Sequence, residues 1–188
     1  MENLENKKTI LLVGGSQGAL GINKGISAQL NLFKNNDYQM IWQTGSHYYD
    51  KAVNEIQEAG LSNRVKCTVF IDRMELAYAA AGVVISRAGA ISISELSLLS
   101  KAVVFVPLPT AAEDHQTKNA QRLVDDNAAI LVKNSETEKE LLPVVFELLN
   151  NDEKQSEMKR NIAKFAKPNA AEDIVDQIEN VLKSIKNQ

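Results

Sequence analysis

Along the chain, short apolar runs alternate with longer segments whose apolar residues recur every three or four positions. TILLV (9–13), YQMIWQ (38–43), RVKCTVF (64–70), GVVIS (82–86), AVVFVP (102–107) and AAILVK (128–133) have the length and β-branched content of strands. Most are apolar at nearly every position, as in strands covered on both faces. Helix-like segments fall between them, at about 19–33, 49–59, 74–81, 90–100, 115–127 and 137–149. This alternation predicts an α/β fold: a Rossmann-like parallel sheet of about six strands, helices on both faces, joined by right-handed crossovers. After residue 133 the strands stop. EKQSEMKRNIAKFA and, beyond Pro168, AAEDIVDQIENVLKSI are helical in pattern. In the second, Ile174, Ile178, Val181, Leu182 and Ile185 fall on one side, which predicts a packing face.

Composition narrows the class. The 188 residues suit one compact domain, and 44% hydrophobic with 24% charged content is ordinary for a globular chain. Twenty-one basic against 24 acidic residues give a formal charge of −3, which argues against a domain built to coat nucleic acid. A single cysteine, Cys67, rules out an internal disulfide and fits a reducing compartment. The start, MENLENKK, has no secretory pattern, and no apolar run approaches the roughly 20 residues a membrane-spanning helix needs. Peripheral membrane contact stays open. Residues 1–8 are expected to be a tail or the remnant of a linker, and residues 9–188 the folded domain.

In sheets of this kind ligands sit beyond the carboxyl ends of the strands, near the point where strand order reverses. Four loops there carry candidate chemistry. In GGSQGA, Gly14 and Gly15 let backbone approach a ligand, Gly18 permits close packing, and Ser16 and Gln17 are neutral donors ahead of a helix start. The spacing is neither a Walker loop, which needs Gly-Lys-Ser/Thr, nor the dinucleotide G-x-G-x-x-G. A tight turn with a capping serine is the plainer alternative. SRAGAISISE offers a second small-residue turn and helix start at Gly89, Ala90 and Ile91, with Glu95 a turn and a half into the helix. Its carboxylate can accept two hydroxyls of a ribose, or simply favour the helix dipole. PLPTAAEDHQTKNA brings His115 and Gln116, partners for a polyol, to the start of another helix. Capping by Asp114 and a solvated His115 compete with that reading. In FIDRM, Phe70 and Met74 can flank a flat ring whose edge meets the Ile71 backbone; core and turn roles are the alternative. No metal-ligand spacing, no G-x-S-x-G elbow and no Cys/His pairing for nucleophilic catalysis occurs.

Taken together and in order, VGGSQGALGIN, WQTG, FIDRM, SRAGAISISE and PLPTAAEDHQTKNA resemble the C-terminal half of the MurG family across about residues 8–185. These are transferases that add N-acetylglucosamine to the lipid-linked muramyl-pentapeptide of peptidoglycan. The resemblance implies one half of a GT-B glycosyltransferase, the half that binds UDP-N-acetylglucosamine without metal or other cofactor. It implies that Gly15, Ser16, Gln17 and Gly18 lie at the donor phosphates with Gly89, Ala90 and Ile91. It places the uracil at Ile71 between Phe70 and Met74, the ribose at Glu95, and the sugar at His115 and Gln116. His115 stands where some members have glutamine. The resemblance also implies a missing N-terminal acceptor domain as partner and a lipid-linked acceptor. It implies no catalytic residue in this stretch, no transfer by the stretch alone, and a place on the inner face of the bacterial cytoplasmic membrane. A different GT-B enzyme, a UDP-sugar 2-epimerase and a non-catalytic nucleotide-binding domain are the competing expectations. A phosphoacceptor receiver is disfavoured, because LLVGGS has no acid at the end of its strand.

Overall fold

The computed structural model describes residues 8–15, 17–111 and 114–186. Ser16 and most of the expected tail lie outside them. Strands β1 (Thr9–Val13), β2 (Gln39–Gln43), β3 (Val65–Thr68), β4 (Val83–Ser86), β5 (Ala102–Phe105) and β6 (Ile130–Leu131) alternate with helices α1 (Leu20–Gln29), α2 (Ser46–Glu58), α3 (Met74–Ala80), α4 (Ala90–Leu98) and α5 (His115–Asp125). Helices α6 (Thr137–Asn150), α7 (Asp152–Ala163) and α8 (Ala170–Lys186) follow. All strands pair in parallel, in the order β3-β2-β1-β4-β5-β6. The order reverses between β1 and β4, the position where such sheets open a crevice.

The near-continuous apolar runs have a direct cause: the sheet is covered on both faces. Ile10 and Leu12 belong to one core with Ile26, Phe33, Trp42 and Leu141, under α1, α2 and α6. Leu11, between them, joins the other core with Val84, Leu96, Phe105, Leu123 and Ile162, under α3, α4, α5 and α7. Neighbours in a strand point to opposite faces, so each face needs its own apolar residue. A fully buried side chain of this size stabilises the fold by about 1.5–3 kcal/mol.

Several expected boundaries move. The run at 64–70 is a strand only over Val65–Thr68, and the run at 128–133 only over Ile130–Leu131, at the sheet's edge. The first helix tightens after Gln29 into a 3₁₀ segment, Leu30–Asn35. The larger correction concerns α8. Its stripe is not packed: Ile174, Ile178, Val181, Leu182 and Ile185 are each more than half exposed, from 53% to 63%. Both faces of the sheet are already covered by the helices before it, so the two cores close without α8. Amphipathic spacing reports that a helix has an apolar side, not what meets it.

Candidate functional site at the carboxyl edge of the sheet

β1 and β4 are neighbours in register, with Val13 opposite Ser86. The chain therefore leaves both strands at the same height, and the 14–18 and 87–90 turns lie side by side at one edge. α1 and α4 begin there with no side-chain cap and no acidic residue in the first turn. Free N–H groups and the positive end of each helix dipole thus remain uncompensated by side chains. α2 and α5 likewise start without a side-chain cap or a first-turn acid, whereas Asn151 caps α7 by accepting a hydrogen bond from the Lys154 N–H.

The first turn is fixed by backbone contact. Gly18 donates to the Gly15 carbonyl at 3.1 Å. Gly18 has φ +75°, and a Cβ on it would stand 2.1 Å from the Thr44 carbonyl oxygen. Gly15, at φ +74°, has open space around it, and Gln17 is exposed. The packing of this turn against the end of β2 is held from below. Trp42 donates through Nε1 to Asn23 Oδ1 at 2.9 Å, and Asn23 donates through Nδ2 to the Thr44 carbonyl at 2.8 Å. Both hydrogen bonds are buried. Gln43 Nε2 approaches the Gly15 carbonyl at 3.4 Å, while its Oε1 is buried and accepts no hydrogen bond among the described residues.

The second turn is open. Nothing stands within 4 Å of where a Gly89 Cβ would be, Ala90 is exposed and Ile91 is 77% exposed. Glu95 is exposed and accepts from the Tyr78 hydroxyl at 3.2 Å. Burial, and next the negative charge of Glu95, push the Tyr78 phenol well above its usual range, so it stays a donor. Phe70 is exposed beyond β3, whereas Ile71 and Met74 pack against the core beneath α3. FIDRM thus leaves an exposed ring beside two half-buried core residues.

The third loop departs from expectation. Asp114 occupies the position before α5 with φ 57°, but its side chain makes no capping bond. His115 is exposed; Gln116 is half-buried, and its Oε1 accepts from the Leu108 N–H at 3.0 Å. Gln116 therefore ties its own loop as well as facing the edge.

The sequence assigned no role to Arg87. Its Nη1 donates to the Val106 carbonyl (2.9 Å), the Pro107 carbonyl (3.0 Å) and Asn134 Oδ1 (2.9 Å). Burial holds its pKa below the usual arginine value. Arg87 lines a groove of about 350 Å³ with Gly14, Gly18, Gly21, Leu108 and Asn134. A neighbouring lobe of about 490 Å³ runs past Pro107, Thr117, Lys133 and the same Asn134. The larger lobe lies to the side of the reversal point; the smaller one sits at it. Arg87 and Asn134 are 47 positions apart, so only their spatial meeting, not a local motif, shows the pair.

This sheet order, with two helix starts at the reversal point, defines a Rossmann-like domain, and its similarity to known proteins makes it one half of a GT-B glycosyltransferase. The chain belongs to glycosyltransferase family 28, whose C-terminal domain matches residues 9–174. It is 48% identical over 176 residues to the UDP-N-acetylglucosamine–N-acetylmuramyl-(pentapeptide) pyrophosphoryl-undecaprenol N-acetylglucosamine transferase of Parabacteroides distasonis, covering 94% of this chain and 48% of that protein. It is 51% identical over 174 residues to the transferase of the same name from Bacteroides thetaiotaomicron, covering 92% of this chain and 47% of that one. The crystal structure of Acinetobacter baumannii MurG superposes with a TM-score of 0.82 at 32% identity, covering 95% of this chain and 51% of that chain. A UDP-GlcNAc 2-epimerase from Neisseria meningitidis shares the fold at a TM-score of 0.63 and 18% identity, over 94% of this chain and 45% of that one. The chain spans about half the length of the curated relatives it matches.

Proposed function

We propose that this domain binds UDP-N-acetylglucosamine as the donor half of an inverting glycosyltransferase that extends the lipid-linked muramyl-pentapeptide of peptidoglycan. The observation that carries the reading is the pair of uncapped helix starts, α1 and α4, side by side at the reversal point. Two such starts suit a diphosphate. Gly15, Ser16, Gln17 and Gly18 on one side and Gly89, Ala90 and Ile91 on the other cradle it. Glu95 takes the ribose hydroxyls, its carboxylate oriented by Tyr78. Ile71 meets the uracil edge through its backbone, beside Phe70 and Met74. His115 and Gln116 meet the sugar.

In the complete enzyme the acceptor hydroxyl attacks the anomeric carbon and UDP leaves with inversion. Negative charge grows on the diphosphate as the bond breaks, and fixed amide dipoles aimed at it lower that barrier. No metal or other cofactor enters this reading. A base within hydrogen-bond reach of the acceptor comes from the half that this chain does not span. The whole protein works at the inner face of the cytoplasmic membrane; among the described residues, no helix is long and apolar enough to cross one.

Calorimetric titration with UDP, UDP-N-acetylglucosamine and ADP tests the donor reading. Saturable binding of both uridine ligands with ADP much weaker is expected; no uptake of UDP overturns it. The 188-residue chain mixed with donor and lipid acceptor should give no transfer product. Product formation would overturn the division of labour between the halves.

A further inference from the structure

We propose that Arg87 is the cationic ligand of the anion bound at this edge, taking the place that a lysine occupies in a Walker-type phosphate loop. The inference rests on the diphosphate reading above and adds a charge to it.

The guanidinium has five N–H donors arranged in a planar fork. All three hydrogen bonds of Arg87 start from one nitrogen, Nη1. Among the described residues, Nε and Nη2 donate to nothing, and no carboxylate pairs with the group. Arg73 pairs with Glu75 and Lys133 lies 3.7 Å from Glu136, whereas Arg64 and Lys101, like Arg87, meet carbonyl oxygens. Arg87 is solvated on one side by two carbonyls and an amide oxygen. Among the described residues no acid neutralises this half-buried charge, an arrangement that costs free energy unless something compensates it.

The remaining donors belong to a side chain that lines the groove with Gly14 and Gly18. Arg87 follows Ser86, the last residue of β4, and its side chain lines the groove beside Ala19 and Leu20 at the α1 start. The three oxygens fix the guanidinium before any ligand arrives. Little conformational entropy then remains to be lost when an anion takes the free side of the fork. A purely structural clamp between β4 and the loop after β5 needs the Nη1 bonds only. It does not need three further donors on a side chain that lines a groove with the α1 start.

The test is a ligand ladder of uridine, UMP and UDP, measured by calorimetry and NMR titration on wild type, Arg87→Met and Arg87→Lys. Arg87→Met should weaken UDP about 10- to 100-fold, the range for a lost charged hydrogen-bond partner. Uridine should change less than about twofold, since it carries no phosphate for the group to meet. Arg87→Lys, which keeps the charge but not the fork, should fall between. UDP affinity of the wild type should drop with added salt, more steeply than that of the Met variant, which lacks the charge. Equal losses for uridine and UDP would make Arg87 a clamp and overturn the proposal, as would UDP affinity unchanged in the variants. Should the Met variant not fold, the Lys variant and the wild-type salt slope decide: an unchanged UDP-to-uridine ratio together with a flat slope refutes the idea. Wild type that binds uridine but gains nothing from phosphate sinks this inference alone. Wild type that binds no uridine ligand sinks the donor reading with it.

Discussion

The two sides of the carboxyl edge are built by different means. On the β1–β2 side, backbone touches backbone: Gly18 sits so close to the Thr44 carbonyl that no side chain fits, and the Trp42–Asn23–Thr44 hydrogen bonds brace the contact. On the β4–β5 side one side chain does the joining, as Arg87 gathers two carbonyls and Asn134 onto a single nitrogen. A turn held by backbone packing is rigid and electrically neutral. A turn held by a guanidinium is fixed and also carries charge. The first kind of order gives the site its shape, and the second gives it a sign.

The sharpest way to break the comparison is Gly18→Ala. The new methyl group meets a carbonyl oxygen 2.1 Å away, in a backbone region that L residues rarely adopt. We expect a loss of about 2–4 kcal/mol in unfolding free energy by urea titration, the sum of αL strain and overpacking. Gly15→Ala shares the positive φ but meets nothing within 4 Å. It should cost about 1 kcal/mol. Equal losses would mean that conformational strain, and not contact with Thr44, sets the turn.

The same contrast explains what was legible from the sequence. Glycines at 14, 15 and 18 mark a turn locally, and the alternation of runs gives the sheet and its helices. Arg87 was passed over although it stands inside SRAGAISISE, because its partners lie 19, 20 and 47 positions away. Only the strand order brings them together. Asp114 looked like a cap by residue type, but its left-handed backbone leaves the carboxylate out of that role. Asn23 and Trp42 stand in VGGSQGALGIN and WQTG, but their pairing is not legible there, since a buried side-chain pair leaves no periodic trace.

Glu95→Ala examines the β4–β5 side by function instead of stability. It should weaken UDP by about 1–3 kcal/mol in calorimetry, with little change in unfolding, because the carboxylate is exposed. An unchanged dissociation constant would remove Glu95 from the ribose position. Tyr78→Phe is the milder companion, expected to cost about 0.5–1.5 kcal/mol in UDP binding by freeing the carboxylate it orients. It also has a pH signature. The folded state keeps the Tyr78 proton to higher pH than the unfolded chain does, so the unfolded state binds fewer protons once pH exceeds the usual tyrosine value near 10. Wild type should therefore lose stability as pH rises above that value, and Tyr78→Phe should flatten the slope. The same alkaline slope in both proteins would place its cause elsewhere.

The smallest expected effect concerns the region that belongs to neither side. The stripe of α8 reads as a packing face in the sequence, yet Ile178 is 54% exposed and Ile185 63%. With the stripe exposed, Ile178→Gln should change unfolding free energy by less than about 0.5 kcal/mol, as for a surface position away from any special contact. If the sequence expectation is right, the same change would behave as loss of a buried aliphatic side chain and cost about 2 kcal/mol or more. The measurement separates the two because the body of the domain is untouched by either outcome. Its cores close over both faces of the sheet without α8, so a large loss could come only from a surface that the stripe covers in solution.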